Sequence, residues 1–156
     1  MPDQDIRALF DSKALVSGRA LDDDQIQPAS LDLRLGETAY RVRASFMPGT
    51  FATVQDKLDI YKLHEIDLRE GAVLETGCVY IVPLLERLAL PDDVSASANP
   101  KSSTGRLDIF TRVMTDHAVE FDKMRQGYNG QLYLEVSPRT FPIVARTGSR
   151  LSQIRF

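Results

Sequence analysis

Leu31-Asp32-Leu33-Arg34-Leu35-Gly36 decides how the rest of the chain is read. Three leucines alternate with two charged residues and a glycine ends the run, which is the period of a half-buried β-strand and not of a helix. Working outward, the same period returns. Tyr40, Val42 and Ala44 alternate with Arg41 and Arg43, and Cys78-Val79-Tyr80-Ile81-Val82 is a short buried-type run that Pro83 is expected to stop. Ile109–Val113, Leu132–Val136, Ile143–Ala145 and Leu151–Phe156 read as further strands, separated by the Gly, Pro, Asn and Asp of turns. Helical spacing shows from Gln4 to about Leu15, where Ile6, Leu9, Phe10 and Lys13 recur at the right intervals. Many short strands with one short N-terminal helix predict an all-β sandwich or barrel. Residues 45–60, with Pro48-Gly49 inside, read as a long surface excursion or an edge hairpin. The 156 residues carry no internal repeat or linker and are expected to form a single domain over 1–156.

Charge and composition narrow the chemistry. A formal net charge of −3 leaves no global field for a polyanion, so a nucleic-acid partner is not expected. An anionic ligand must instead be caught locally by a few Lys, Arg and backbone N–H groups. No apolar run approaches the roughly 20 residues of a membrane span, and Met1-Pro2-Asp3-Gln4-Asp5 is acidic rather than signal-like. A cytoplasmic protein without membrane contact is expected. The one cysteine, Cys78, forbids an intrachain disulfide and a cysteine-based zinc site within one chain. There is no HxE, HExxH or CxxC pattern around His64 and His117, so zinc-type deaminase or hydrolase chemistry is not expected.

Three segments have the residue types that chemistry needs. In Asn99-Pro100-Lys101-Ser102-Ser103-Thr104-Gly105-Arg106, the Asn-Pro pair breaks the preceding structure and Ser-Ser-Thr opens a helical turn. The free N–H groups of such a turn, between Lys101 and Arg106, suit phosphate oxygens, and Gly105 lets backbone approach a ligand. The same pattern also fits a plain helix cap with solvated basic residues, and it lacks the order of a Walker sequence. Glu135 stands on a strand with Leu132, Leu134 and Val136 on one face and Gln131, Tyr133 and Glu135 on the other. It reads either as a solvent-facing glutamate or as a general base in a closed pocket. Asp122, before the turn-rich Gln126-Gly127-Tyr128-Asn129-Gly130, reads as a turn residue or as an acceptor for a sugar hydroxyl. Asp32 and Arg34 share a strand face and are expected to serve an ion pair or network that holds the sheet.

Taken in order, four stretches resemble the dCTP deaminase family, within the superfamily that includes trimeric dUTPase. They are residues 26–36 (IQPASLDLRLG), 101–107 (KSSTGRL), 121–135 from Phe121-Asp122 to Leu134-Glu135, and 146–156 (RTGSRLSQIRF). The resemblance implies a dUTPase-like jelly-roll or β-barrel fold and zinc-independent conversion of dCTP to dUTP and ammonia. It implies that Lys101, Ser102 and Ser103 hold the triphosphate, that Arg106 reaches the reacting water, and that Glu135 is the general base. It further implies that Asp122 recognises the deoxyribose, while the backbone near Thr115 and the turn at Tyr128 belong to sugar and base recognition. Mg²⁺ would ride on the triphosphate with no protein ligands, and the assembly would be a homotrimer with sites between subunits.

Three departures qualify the likeness. Lys101 stands where arginine is usual, giving a point charge in place of a bidentate fork. The Asp122–Tyr128 loop and Ser137-Pro138-Arg139-Thr140 resemble the N-terminal half of the long, tandem bacterial form. The family's C-terminal lid tail has no counterpart after Phe156. A dUTPase-type or bifunctional diphosphohydrolase, and a tail-less nucleotide-binding or assembly module without turnover, are therefore the competing expectations.

Overall fold

In the computed structural model, which describes residues 2–156, twelve strands and three helices follow one another. In chain order these are α1 (Asp3–Asp11), β1 (Leu15–Ser17), β2 (Leu31–Leu33), β3 (Thr38–Val42), α2 (Val54–Tyr61), β4 (Lys62–Asp67), β5 (Ala72–Leu74) and β6 (Val79–Ala89). There follow β7 (Ala96–Pro100), α3 (Ser102–Arg106), β8 (Ile109–Thr115), β9 (Lys123–Met124), β10 (Asn129–Pro138), β11 (Ile143–Ala145) and β12 (Ser152–Arg155). A six-stranded sheet runs β4-β3-β6-β10-β8, with β1 also paired to β6. A four-stranded sheet runs β2-β12-β7-β9, and β11-β5 form a small third one. The expected all-β architecture is what the chain adopts.

The two larger sheets close on one core. Leu31, Leu33, Ala98 and Ile154 from the smaller sheet pack with Val82, Leu84, Val113, Leu132, Leu134 and Val136 from the larger, and α1 adds Ile6 and Leu9. The other face of the larger sheet is covered as well. Phe46, Val54 and Leu58 lie with Val42, Ile81, Met114 and Tyr133 in a second apolar cluster. Burying a leucine or phenylalanine side chain contributes about 1.5–3 kcal/mol, so this second layer is a substantial part of the fold.

That layer corrects one expectation. Residues 45–60 were expected as a surface excursion or hairpin, and one helix was expected in all; the segment instead holds α2. Thr53 caps it in a reciprocal box with Asp56, a start signal present in the sequence. The segment is sewn to the 116–118 turn: Val54 N–H donates to Asp116 Oδ1 at 2.8 Å and His117 N–H to the Ala52 carbonyl at 2.9 Å.

A second correction concerns Pro83, which does not stop its strand, since β6 continues to Ala89. Pro83 sits opposite Tyr133 where the β6–β10 register shifts, so the ladder does not need its missing N–H. Its carbonyl accepts from Gly36 N–H at 2.9 Å, and a Cβ on Gly36 would stand 2.5 Å from that oxygen. The glycine thus allows β6 to approach the end of the run that opened the sequence reading.

Arg34 and Asp32 do not pair with each other. Arg34 is 1% exposed and Glu86 is fully buried; Arg34 donates from Nε to Glu86 Oε2 at 3.1 Å and from its backbone N to Oε1 at 2.6 Å. Its other nitrogens reach Ser17 Oγ and the Ala20 carbonyl. Burial pushes the Glu86 carboxyl up, and the Arg34 N–H and guanidinium oppose that rise. Removing one partner strands a buried charge. Glu86→Ala is expected to cost about 3–5 kcal/mol, read as a fall in the urea midpoint at unchanged slope.

Candidate active site

β10 is the middle strand of the site. It pairs with β6 on one side and with β8 on the other, which sets Glu135 beside Ile81 and Arg112. The alternation read from the sequence holds: Leu132, Leu134 and Val136 enter the main core, and Tyr133 and Glu135 face the other way. That other face is roofed by the segment leading to α2, so Glu135 is only 2% exposed. Its Oε2 accepts from Arg112 Nε at 3.0 Å and its Oε1 from Ser45 Oγ at 2.5 Å. The solvent-facing alternative is excluded.

Asp122 lies next to this pair. Its backbone N–H donates to the Val113 carbonyl at 2.9 Å, and its Oδ1 accepts from Val113 N–H at 2.7 Å. It therefore satisfies the open edge of β8, in a left-handed conformation (φ 61°) that aspartate tolerates. Burial pushes the Asp122 carboxyl up, opposed by the Val113 N–H and the Arg112 charge. Its neighbour Phe121 stacks on the Arg112 guanidinium at 3.6 Å. Glu135, Arg112 and the Asp122 turn thus form one neighbourhood.

The serine turn is elsewhere. Three ladder pairs separate Arg112–Glu135 from Ile109–Pro138, roughly 10 Å along the strand, and α3 precedes that end. Thr104 anchors the turn by donating to the Leu151 carbonyl at 2.8 Å, which leaves Ser102, Ser103, Gly105 and Arg106 facing outward. A Cβ on Gly105 would meet no atom of this chain, so that face is open to a ligand. Lys101, expected to hold the triphosphate, pairs its ammonium with the buried Asp32, which Arg150 also contacts at 3.4 Å. Among the described residues, no group of three His, Cys, Asp or Glu side chains is placed to hold a metal, and no helix is long and apolar enough to cross a membrane.

Tyr128 is placed differently from its expected role. Its side chain is in the main core, its hydroxyl donates to the Gln131 carbonyl at 2.7 Å, and it accepts from Asp116 N–H at 3.1 Å. A Cβ on Gly130 would stand 2.6 Å from that hydroxyl, so glycine is needed for the ring to seat. Thr115 is buried at the rim of an open cavity of about 420 Å³, which His117, Lys123, Arg125 and Arg155 also line. Neither Glu135 nor the serine turn lines that cavity. Arg112 and Ser45 escaped the sequence reading. Arg112 is readable only as the cross-strand neighbour of Glu135, and that needs the register.

The family model for the 2'-deoxycytidine 5'-triphosphate deaminase (DCD) N-terminal domain matches residues 1–156. A dCTP deaminase from Haloarcula marismortui is 36% identical over 86% of this chain and 67% of its own length. A dUMP-forming dCTP deaminase from Beutenbergia cavernae is 31% identical over 100% of this chain and 78% of its own. The crystal structure of 2'-deoxycytidine 5'-triphosphate deaminase from Agrobacterium tumefaciens superposes with a TM-score of 0.97 at 72% identity, over 99% of this chain and 46% of that one. This chain therefore spans about half the length of that solved relative, in keeping with the expected likeness to half of a longer form.

Burial pushes the hydroxyls of both Tyr128 and Tyr133 up to about 12. The folded state then resists ionisation above the usual value of about 10, and the stability these rings provide is lost as pH climbs from about 10 through 12. Burial also raises Tyr80, and an alkaline titration followed by phenolate absorbance is expected to show two tyrosines ionising at about 12, with Tyr128→Phe removing one of them.

Proposed function

The chain belongs to the dCTP deaminase family, and from that membership and the buried Glu135 we propose that it hydrolyses the 4-amino group of dCTP. Glu135 takes a proton from water, the hydroxide adds to C4, and the proton passes to the departing amine, giving dUTP and ammonia. A positioned base contributes about 10²–10⁴-fold, and orientation and oriented donors supply the remainder. The observation that carries the reading is a carboxylate taken out of water on the central strand of this fold, 2% exposed and met by two donors.

Ser102, Ser103 and Arg106 take the triphosphate, with its Mg²⁺ arriving as part of the substrate. Asp122 takes the deoxyribose, and the backbone at Thr115 faces the base. Lys101 has a lesser part, since Asp32 already neutralises it. Within one copy the exposed serine turn precedes the end of β8 roughly 10 Å along the strand from Glu135, and the proposed assembly is a homotrimer in which one copy's turn meets another copy's Glu135. Two rival readings rest on particular observations. The match of the whole chain to 78% of a dUMP-forming relative favours a coupled diphosphate cleavage that ends at dUMP. The Lys101–Asp32 pair favours a binding or assembly module without turnover.

Ammonia release from dCTP with Mg²⁺ is expected for the wild type, with Glu135→Gln slower by at least about 10²-fold. Equal turnover by the two rejects the role of Glu135. Chromatography of the products separates the readings: dUTP accumulates under the first, and dUMP with pyrophosphate under the second. Calorimetric binding of dCTP with no product over hours decides for the module.

A further inference from the structure

Arg112 has the more extensive hold on Glu135. Its Nε donates to Glu135 Oε2 at 3.0 Å, while Nη2 reaches Ser45 Oγ at 2.7 Å and, less closely, Glu135 Oε1 at 3.5 Å. Ser45 Oγ closes the ring by donating to Oε1 at 2.5 Å. The guanidinium is itself held: the Phe121 ring lies 3.6 Å from its carbon and the Phe110 ring 5.1 Å. Such a planar, stacked fork fixes direction in a way a lysine ammonium does not.

An ionised carboxylate has about four lone-pair positions. Ser45 and Arg112 Nη2 occupy the two on Oε1, and Arg112 Nε occupies one on Oε2. One position is left, on Oε2. Resting on the deaminase reading of Glu135, we propose that Arg112 and Ser45 are the positioning residues of the general base, which aim Oε2 as the atom that accepts the proton from water. In that step the water O–H bond breaks as its oxygen bonds to C4 and the C4=N3 π pair moves onto N3. The proton resides on Oε2 and passes to the amine nitrogen as the C4–N4 bond breaks and C4=N3 re-forms, releasing ammonia. The proton left on the C4 oxygen moves to N3 to give uracil. Arg112 stays charged throughout and exchanges no proton. Because Phe121 is adjacent to Asp122, the turn that takes the sugar also clamps the arginine that aims the base.

The test uses Arg112→Lys, Arg112→Gln and Ser45→Ala, with the exposed Arg69→Ala as control. For the Arg112 variants kcat on dCTP is expected to fall about 10²-fold while KM moves little, because a misaimed base loses rate without losing binding. Ser45→Ala is expected to fall less, and Arg112→Lys is not expected to rescue. Each variant is first compared with wild type by urea midpoint, and any that does not fold is replaced in the argument by Ser45→Ala. A second arm needs no turnover: the Arg112 Nε–H proton resonance of the wild type is expected to exchange slowly with water and to shift in Glu135→Gln and Ser45→Ala. Arg112→Lys turning over at the wild-type rate, or an Nε–H that exchanges as fast as that of Arg69, overturns this inference alone. A wild type that releases no ammonia overturns it together with the deaminase reading.

Discussion

β10 is buried on both faces, and most of what is distinctive about the molecule follows from that. An antiparallel sheet can leave one face to water, but on β10 both sets of side chains are covered by a layer. One set finds the four-stranded sheet. The other finds Phe46 and α2, and with that roof in place a glutamate halfway along the strand is enclosed. A charge enclosed in this way requires partners, and the register of β8 and the return of the chain at Ser45 supply them.

Other acidic residues follow the same logic with different outcomes. Glu86 is satisfied by Arg34, which also ties down the chain between β1 and β2 through the carbonyls of Arg19 and Ala20. Asp32 is satisfied by Lys101 and Arg150, and Arg150 continues outward to Asp22 and Asp24. The first pair joins the smaller sheet to β6 of the larger, and the second ties β2, β7 and β12 together within the smaller sheet. The Glu135 pair differs in that its arginine is stacked against Phe121, whose turn neighbours Glu120 and Lys123 line the open cavity. Fixing a carboxylate is common to all three groups; fixing it beside a turn that borders an open cavity is peculiar to this one.

Family likeness accounts for the shape, since a chain 72% identical to a solved dCTP deaminase over 99% of its length shares its fold. The details redistribute duties within that shape. Lys101 has been drawn into the Asp32 network of the smaller sheet, while the hydroxyls of Ser102 and Ser103 and the charge of Arg106 stay exposed. Tyr128 has been drawn into the core, where its hydroxyl joins the Gln131 carbonyl to the Asp116 amide and so shapes the turn from within.

Local pattern was enough for the elements whose period is unambiguous. The leucine run at 31–35, the strand at Ile143–Ala145, the two faces of Leu132–Val136 and the helical turn at Ser102 were all legible, because alternation and turn chemistry act between near neighbours in the chain. Five short strands and α2 were not legible. Strands of two or three residues have too few alternations to show a period, and β7 and β4 have little apolar alternation to show. The capping box at Thr53 was readable, but Pro48-Gly49 just before it made a loop the simpler account.

What the sequence determined by itself was the all-β architecture, the serine turn and the strand that carries Glu135, since each follows from spacing within a dozen residues; that Glu135 is the acid to single out came from the ordered likeness of four stretches to the family. Only the tertiary structure decided that Pro83 lies within a strand, that Lys101 belongs to Asp32, that Tyr128 is a core residue, and that Arg112 and Ser45 grip Glu135. The contacts of Lys101, Arg112 and Ser45 join residues 23 to 90 positions apart and the place of Pro83 depends on a ladder register, and no local pattern encodes which distant partner a buried charge or a proline will meet.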